Sequence, residues 1–275
     1  MKTYQIKPNK FFTGPQKLGE VLHKFTSLDD KLLSDAAFKG AVWLQKGGKG
    51  KILRIRSLQT VIKPEDLITF YHDPKVLALP ELKEAICLYE NNLYGVWIKP
   101  VGIMSQGTQT GDHASILRYV EKLKNKQVYM IHRLDRETEG PMLIGYESKA
   151  SGILSELFTK KKIRKVYQAI VLGEMTTGLT ATIKASLDDK EAITHYRVLD
   201  SRNNKSLLEI EIETGRLHQI RRHLDLIGHP IMGDPKYGKG NKNKEGLKLL
   251  AYSLSFEDPW DKKAKTFHLE KDLSI

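Results

Sequence analysis

The stretch TGRLHQIRRHLDLIGHPIMGD, residues 214–234, decides what kind of structure forms in the second half of the chain. Apolar residues recur in it at intervals of three, four and three, which predicts an amphipathic helix over 214–228. Thr214 is suited to cap the start of this helix, and Gly228 followed by Pro230 is suited to end it. The apolar face consists of Leu217, Ile220, Leu224 and Ile227, and the polar faces carry Arg216, His218, Gln219, Arg221, Arg222 and His223.

A strand pattern precedes this helix. In SLLEIEIE (206–213), the residues Leu208, Ile210 and Ile212 alternate with glutamates, which predicts a strand with one wet face. Residues 115–123 have helical spacing. Other short apolar runs predict strands at YGVWI (94–98), VYMI (128–131), MLIGY (142–146) and VYQAIVL (166–172).

The net charge of the chain indicates which kind of partner it attracts. The 275 residues carry a formal net charge of +12 and a pI near 9.5, a balance that attracts polyanions such as RNA or DNA, although a basic solvated surface has the same charge. Cys87 is the only cysteine, which excludes an internal disulfide and a cysteine-based zinc site. The start lacks the apolar core of a signal peptide, and no run of about 18 apolar residues occurs, so we predict a cytoplasmic protein without a membrane span.

The first 80 residues form a separate pattern. Helical spacing around 18–25 is followed by DDKLLSDAAF and by a QKGGKGK turn between two apolar segments, which predicts two short helices and a small hairpin. This order resembles a divergent alpha-L type RNA-binding domain, and a plain structural extension explains it equally well. We predict a small N-terminal domain over 1–80, a linker at 80–84 and a catalytic domain over 85–275. The stretch 237–248, rich in Gly, Asn and Lys, is predicted to be a mobile surface loop.

Three clusters could carry chemistry. HRLDRETEG (132–140) places an acid between arginines after an apolar run, KKKIRKVYQAIV (160–171) leads a basic run into a strand with Tyr167, and the helix at 214–228 carries arginines and histidines. Each cluster alone is also compatible with ordinary surface charge. A metal site at His218, His223 and His229 is disfavoured, because a spacing of five does not place two histidines on one helical face.

Together these clusters resemble the RluA-type family of RNA pseudouridine synthases. The resemblance rests on HRLD followed by Thr138 and Gly140, then K-x-Y-x-A, then T-G-R-x-H-Q-I-R with G-H-P-I-x-G-D, and it covers roughly residues 90–256. One departure is clear, since the family's usual Thr-Ser-Gly-Leu reads Thr138-Glu139-Gly140-Pro141 here. The resemblance implies an α+β fold with a mixed or antiparallel central sheet, helices on its outer faces and a cleft across its middle.

The resemblance also implies roles for residues. Asp135 is expected to be the catalytic carboxylate, Arg221 its counter-ion, and Tyr167 the ring that stacks on the target base and assists proton movement. Arg133 is expected to enter the space that a flipped base vacates. No metal and no cofactor are expected, and the partner is RNA, ribosomal or transfer, bound by a monomer. Residues expected to contact RNA are His132, Arg133, Arg136, Lys160, Lys161, Lys162, Arg164, Lys165, Arg216, His218, Gln219 and Arg222.

Two other functions fit parts of the sequence. A catalytically inert RNA-binding protein on the same scaffold would need the basic surface but not Asp135, Tyr167 and Arg221 together. A metal-dependent nuclease would need a cluster of metal ligands. Release of tritium from uracil-labelled RNA distinguishes the synthase from the binding protein, and loss of activity with a chelator would indicate the nuclease.

Overall fold

A computed structural model describes residues 1–275, which fold as two compact units. The first comprises Met1–Lys83 with Gln106–Tyr119, and the second comprises Glu84–Ser105 with Val120–Ile275. The chain passes from the first unit to the second within helix α4 (Ile116–Lys124). None of the helices combines the length and the apolar composition that a bilayer crossing requires.

The first unit contains the predicted helices and hairpin. Its sheet has the order β1-β6-β3-β4, all antiparallel, and β2 pairs with β5. Leu18, Leu22 and Leu33 from the helices pack with Phe70 of the sheet in one apolar core. The elements are β1 (Lys2–Ile6), β2 (Gln16–Lys17), α1 (Leu18–Phe25), α2 (Asp30–Phe38), β3 (Val42–Gln45), β4 (Ile52–Ile55), β5 (Val61–Ile62), β6 (Leu67–His72) and α3 (Pro74–Leu77).

The segment 106–119 clusters with this first unit, although the sequence prediction placed it in the catalytic domain of 85–275. The Asp112 carboxylate accepts hydrogen bonds from the Arg56 guanidinium at 2.7 and 3.1 Å. The indole nitrogen of Trp43 donates to the carbonyl of Gln109 at 2.8 Å. These partners are distant in sequence, so local patterns could not indicate the excursion.

The second unit is built on two antiparallel sheets. One has the order β7-β8-β10-β9, and the other β12-β13-β14-β11-β15-β16. A parallel bridge between Glu139 and Leu250 joins them, with the Ala251 amide donating to the Glu139 carbonyl at 2.8 Å. The strands are β7 (Cys87–Glu90), β8 (Tyr94–Lys99), β9 (Tyr129–Met130), β10 (Gly140–Gly145), β11 (Arg164–Leu172), β12 (Thr180–Lys184), β13 (Ile193–Arg202), β14 (Lys205–Ile212), β15 (Leu249–Glu257) and β16 (Ala264–His268).

Two helices complete this unit, α5 (Ser148–Thr159) and α6 (Gln219–Leu226). Ile220 and Leu224 of α6 belong to the apolar core of the larger sheet, together with Leu208 and Ile210 of β14. Along β14 buried and wetter positions alternate, which confirms the strand predicted from SLLEIEIE. The α+β fold with an antiparallel sheet is likewise confirmed.

The helix predicted over 214–228 is shorter at its start. Thr214 was predicted to cap it, and this prediction is wrong, because the chain stays irregular until His218, whose backbone is left-handed at φ 51°. The Thr214 hydroxyl donates instead to the side-chain carbonyl of Gln219 at 2.7 Å. The predicted stop is confirmed, since the helix ends at Leu226 and Gly228 follows with φ +82°.

Candidate active site

A cavity of 310 Å³ opens in the second unit, at the low end of the size range of small-molecule sites. It is lined by the loop between β9 and β10, by residues of the strands β11, β14 and β15, and by the turn into α6 with the first residues of that helix. The predicted catalytic residues Asp135, Tyr167 and Arg221 all line this cavity. The structure therefore brings together three side chains from widely separated parts of the sequence.

Two buried side chains hold the backbone of the loop that carries Asp135. The ammonium of Lys99, which is fully buried, donates to the carbonyls of Ile103 at 2.8 Å and Arg136 at 3.3 Å. The Ser105 hydroxyl donates to the Leu134 carbonyl at 2.6 Å and accepts from the Leu134 amide at 2.9 Å. Burial lowers the pKa of Lys99 to about 8, against the opposing effect of acidic neighbours. The loop is thus fixed on both sides of Asp135.

Arg221 links two carboxylates at the floor of the cavity. Its side chain is 2% exposed, and its Nε and Nη2 each donate to Asp234 at 2.7 Å. Its Nη1 donates to Oδ2 of Asp135 at 3.3 Å. Burial alone would lower the pKa of Arg221, but the carboxylates of Asp234 and Asp135 raise it, so the guanidinium stays charged. The expected counter-ion lies within hydrogen-bond distance of Asp135, and Asp234 holds it there.

Asp234 was not assigned a role from the sequence. Its Oδ1 also accepts from the backbone amides of Lys236 at 2.8 Å and Tyr237 at 3.0 Å. Burial alone would raise the pKa of Asp234, but these amides and Arg221 lower it, so the carboxylate is ionised. The preceding Gly233 has φ +76°, and a Cβ there would lie 1.9 Å from the Gly246 carbonyl oxygen, so the turn requires glycine. The G-D pair in the quoted motif was the available signal.

Tyr167 occupies the wall of the cavity on β11. It is 9% exposed and belongs to the core of the larger sheet, between Ile210 of β14 and Ala251 of β15 in the strand register. Burial, together with the nearby charge of Asp135, raises the pKa of Tyr167 above its ordinary value. The side chain is therefore a neutral phenol that presents its ring and hydroxyl to the cavity.

His218 and Tyr237 form the other edge of the site. Nε2 of His218 lies 3.9 Å from Oδ2 of Asp135, and its Nδ1 lies 3.2 Å from the hydroxyl of Tyr237. Burial lowers the pKa of His218 while Asp135 opposes this, so the imidazole is neutral at neutral pH. The Arg221 guanidinium lies 5.3 Å from the centroid of the Tyr237 ring. Tyr237 was predicted to begin a mobile loop, but these contacts and the hydrogen bond from its amide to Asp234 anchor it.

Of the predicted RNA-contacting arginines, two line the cavity. Arg133 is exposed and lines it together with Arg216, whose Nε donates to the Glu191 carbonyl at 2.9 Å. Arg136 is exposed beside Glu137, with 3.1 Å between Nη2 and Oε1. Arg222 forms a pair of hydrogen bonds with Asp188 at 2.8 and 3.1 Å.

The basic run at 160–165 lies on the surface, with acidic partners for several of its members. Lys160 contacts Glu156 at 2.6 Å, Lys161 contacts Glu213 at 3.1 Å, and Arg164 contacts Glu211 at 2.9 Å. Exposed pairs of this kind are weak and can exchange for phosphate contacts. Lys162 is exposed, whereas Lys165 is partly buried and burial lowers its pKa.

Two residues predicted to contact RNA are used inside the protein. Gln219 is 3% exposed, and its amide bonds to Thr214, to Thr194 and to the Ile193 carbonyl. His132 accepts a hydrogen bond from the Leu143 amide at 3.0 Å, and burial lowers its pKa to about 3. Both side chains therefore form hydrogen bonds within the protein beside the site.

No group of three or more His, Cys, Asp and Glu side chains is arranged so that it could hold a metal ion. The three histidines at 218, 223 and 229 each make separate contacts. His223 is buried against Thr194 and the Ala185 carbonyl, and Nδ1 of His229 lies 3.0 Å from the Leu172 carbonyl.

Comparison with known proteins identifies relatives of this chain. The sequence model of the RNA pseudouridylate synthase family matches residues 94–226. The chain is 32% identical to ribosomal large subunit pseudouridine synthase C of Rickettsia felis, over 76% of this chain and 71% of that protein. It is 30% identical to ribosomal large subunit pseudouridine synthase D of Pseudomonas aeruginosa, over 72% and 68% respectively.

The alignment with another relative covers a smaller share of both chains. The alignment with the protein called uncharacterized RNA pseudouridine synthase YhcT of Bacillus subtilis, at 34% identity, covers 62% of this chain and 63% of that one. The chain thus spans slightly less than two thirds of that relative. The solved structure of human RNA pseudouridylate synthase domain containing 4 has the same fold, with a TM-score of 0.54 at 24% identity over 67% of this chain and 87% of the other. The chain therefore belongs to the RluA-type family of RNA pseudouridine synthases.

Proposed function

We propose that this protein isomerises uridine to pseudouridine in RNA. The observation that carries the proposal is the convergence of Asp135, Arg221 and Tyr167 on one cavity, with Arg221 3.3 Å from the Asp135 carboxylate. A carboxylate, a permanent cation and a neutral phenol are the groups that the isomerisation needs. Family membership supports the same reading.

The reaction breaks the bond between C1′ of the ribose and N1 of the uracil, and forms a bond between C1′ and C5. The proton on C5 leaves, and N1 ends with a proton, so the product is an isomer of the substrate. Asp135 meets the sugar, as the nucleophile at C1′ or as the base that removes a proton from C2′. Either route uses the carboxylate as an anion, and Nη1 of Arg221 donates to it at 3.3 Å.

Tyr167 and His218 line the part of the cavity where the uracil base would bind. The Tyr167 ring offers a flat apolar surface on which uracil can stack, and its neutral hydroxyl can pass a proton at the sugar. The neutral imidazole of His218 offers one donor and one acceptor beside Asp135. Because the reactive groups line a cavity of only 310 Å³, the target nucleotide must leave its stack to reach them, at a cost of a few kcal/mol.

The RNA itself is held outside the cavity. Arg133 is exposed at the rim, where its charge can occupy the space left by the flipped base, and Lys160, Lys161, Lys162 and Arg164 follow on the surface. The names of the Rickettsia felis and Pseudomonas aeruginosa relatives favour ribosomal RNA over transfer RNA. We propose that the enzyme acts as a monomer. The cytoplasm stays the predicted location.

Tritium release tests the activity. Total RNA labelled at C5 of uracil, from cells that lack this gene, is incubated with the purified protein, and we expect tritium to enter the water as C5 binds C1′. Pseudouridine mapping on the same RNA then identifies the uridine. Folded protein that binds the RNA but releases no tritium would mark an inert RNA-binding protein, and chain cleavage abolished by a chelator would mark a nuclease.

A further inference from the structure

The segment Leu269–Leu273, which follows β16, contacts Gln168, the residue next to Tyr167, and Glu139, four residues after Asp135. The side chain of Gln168 donates from Nε2 to Oδ1 of Asp272 at 2.7 Å, and its Oε1 accepts from the Leu273 amide at 2.9 Å. Gln168 is 6% exposed and directly follows Tyr167 on β11. Neighbouring residues of a strand point to opposite faces, so this segment packs on the side of β11 away from the cavity.

The same segment reaches the loop that carries Asp135. Nζ of Lys271 donates to Oε2 of Glu139 at 2.7 Å. Glu139 closes that loop, because its carbonyl accepts from Ala251 at the junction of the two sheets. One turn earlier, the Thr138 amide donates to the Asp135 carbonyl at 3.1 Å, so the loop is short and continuous between the two acids.

The segment is itself firmly placed. Leu269 is 3% exposed, and its amide donates to the Tyr252 carbonyl at 3.0 Å. This bond extends the pairing of β16 with β15 by one residue. The Lys271 side chain is 57% exposed and the Glu139 side chain 19%. Since an exposed pair adds little to global stability, its effect is local to the loop that it ties.

We infer that Lys271 is a positioning residue, whose ion pair with Glu139 ties the loop bearing Asp135 to the segment that also braces β11 behind Tyr167. Glu139 stands where the family pattern has serine, so this tie is a feature of this chain. The predicted effect on catalysis rests on the proposed function. The predicted effect on the mobility of the loop is independent of it.

The structural consequence is measured by hydrogen exchange, which reports local opening of backbone hydrogen bonds. In Lys271→Met, peptides covering 134–142 should exchange at least threefold faster, while peptides from the first unit should be unchanged. Lys263→Met is the matched control, because Lys263 is an exposed lysine of the same unit in the turn before β16. Equal exchange in Lys271→Met and the control would overturn the inference without reference to activity.

The catalytic consequence is measured in single turnover with saturating RNA. We expect Lys271→Met to slow pseudouridine formation five- to tenfold with RNA affinity within twofold of Lys263→Met, and Lys271→Arg to retain the wild-type rate. The swap of Glu139→Lys with Lys271→Glu should recover the rate to within about twofold of wild type, where Glu139→Lys alone is slow. A wild-type rate in Lys271→Met, or no recovery in the swap, would overturn the positioning role. Inactive wild-type protein would instead contradict the proposed function.

Discussion

Replacement of Asp234 by asparagine tests whether Arg221 is held by a buried partner. In the native site, Oδ1 of Asp234 accepts from Arg221 and from the Lys236 and Tyr237 amides, and Oδ2 accepts from Nε of Arg221 at 2.7 Å. An asparagine that keeps its oxygen at Oδ1 places an NH₂ against the Nε–H, so a donor faces a donor. Arg221 then points less firmly at Asp135.

The magnitude follows from the bonds that are lost. A charge-assisted hydrogen bond contributes about 1.5–3 kcal/mol, and a buried donor without a partner costs about 1–3 kcal/mol. Asp135 and Glu137 remain 3.3 and 3.9 Å from Nη1, which compensates part of the charge. We therefore expect Asp234→Asn to lower the free energy of unfolding by about 3 kcal/mol, at the lower limit for breaking one side of a buried pair.

Urea unfolding and single-turnover kinetics check this prediction together. The catalytic rate should fall at least tenfold under conditions where the variant is fully folded, because Arg221 no longer fixes Asp135. Asp225→Asn is the control, since Asp225 lies on α6 but does not line the cavity, and it should change both quantities little. A variant with wild-type stability and wild-type rate would refute the account of Asp234.

Two further predictions concern the ring side chains of His132 and Tyr167. Burial lowers the folded pKa of His132 to about 3 from an ordinary 6.5, so the unfolded chain takes up a proton first as the pH falls. Between pH 6.5 and 4.5 this should lower the free energy of unfolding by about 2 kcal/mol, a loss that urea titrations of His132→Gln should lack. An equal pH dependence in that variant and the wild type would contradict the burial argument. Tyr167→Phe keeps the ring but loses the hydroxyl, so single-turnover rates should fall about 100-fold with RNA affinity preserved; an unchanged rate would exclude proton transfer by the phenol.

Local periodicity was sufficient where one face of an element is buried. The alternation in 206–213 and the spacing around 18–25 predicted β14 and α1, because burial of one face imposes those periods on the sequence. The start of α6 was misplaced for a related reason. Apolar spacing continues through Leu217, but Gly215 and the left-handed His218 keep that stretch out of the helix, and Leu217 is 55% exposed.

The sequence motifs predicted three residues that line the cavity, but not the side chains that hold them in place. Asp135, Tyr167 and Arg221 stand in three motifs, and their shared cavity needed only that those motifs meet. Asp234 and Lys99 were missed because their roles lie in contacts with distant partners: a guanidinium for one, and loop carbonyls for the other. Only the folded structure brings these partners together, so local sequence patterns do not indicate them.

The most direct test of the central claim is the rate of pseudouridine formation by Asp135→Asn. The amide is nearly the same size as the carboxylate, yet it can neither attack C1′ nor take a proton from the sugar. We therefore expect no tritium release from C5-labelled RNA over many wild-type turnovers, with RNA affinity close to wild type. Turnover by purified, folded Asp135→Asn would contradict the account, because the chemistry would then depend on another group.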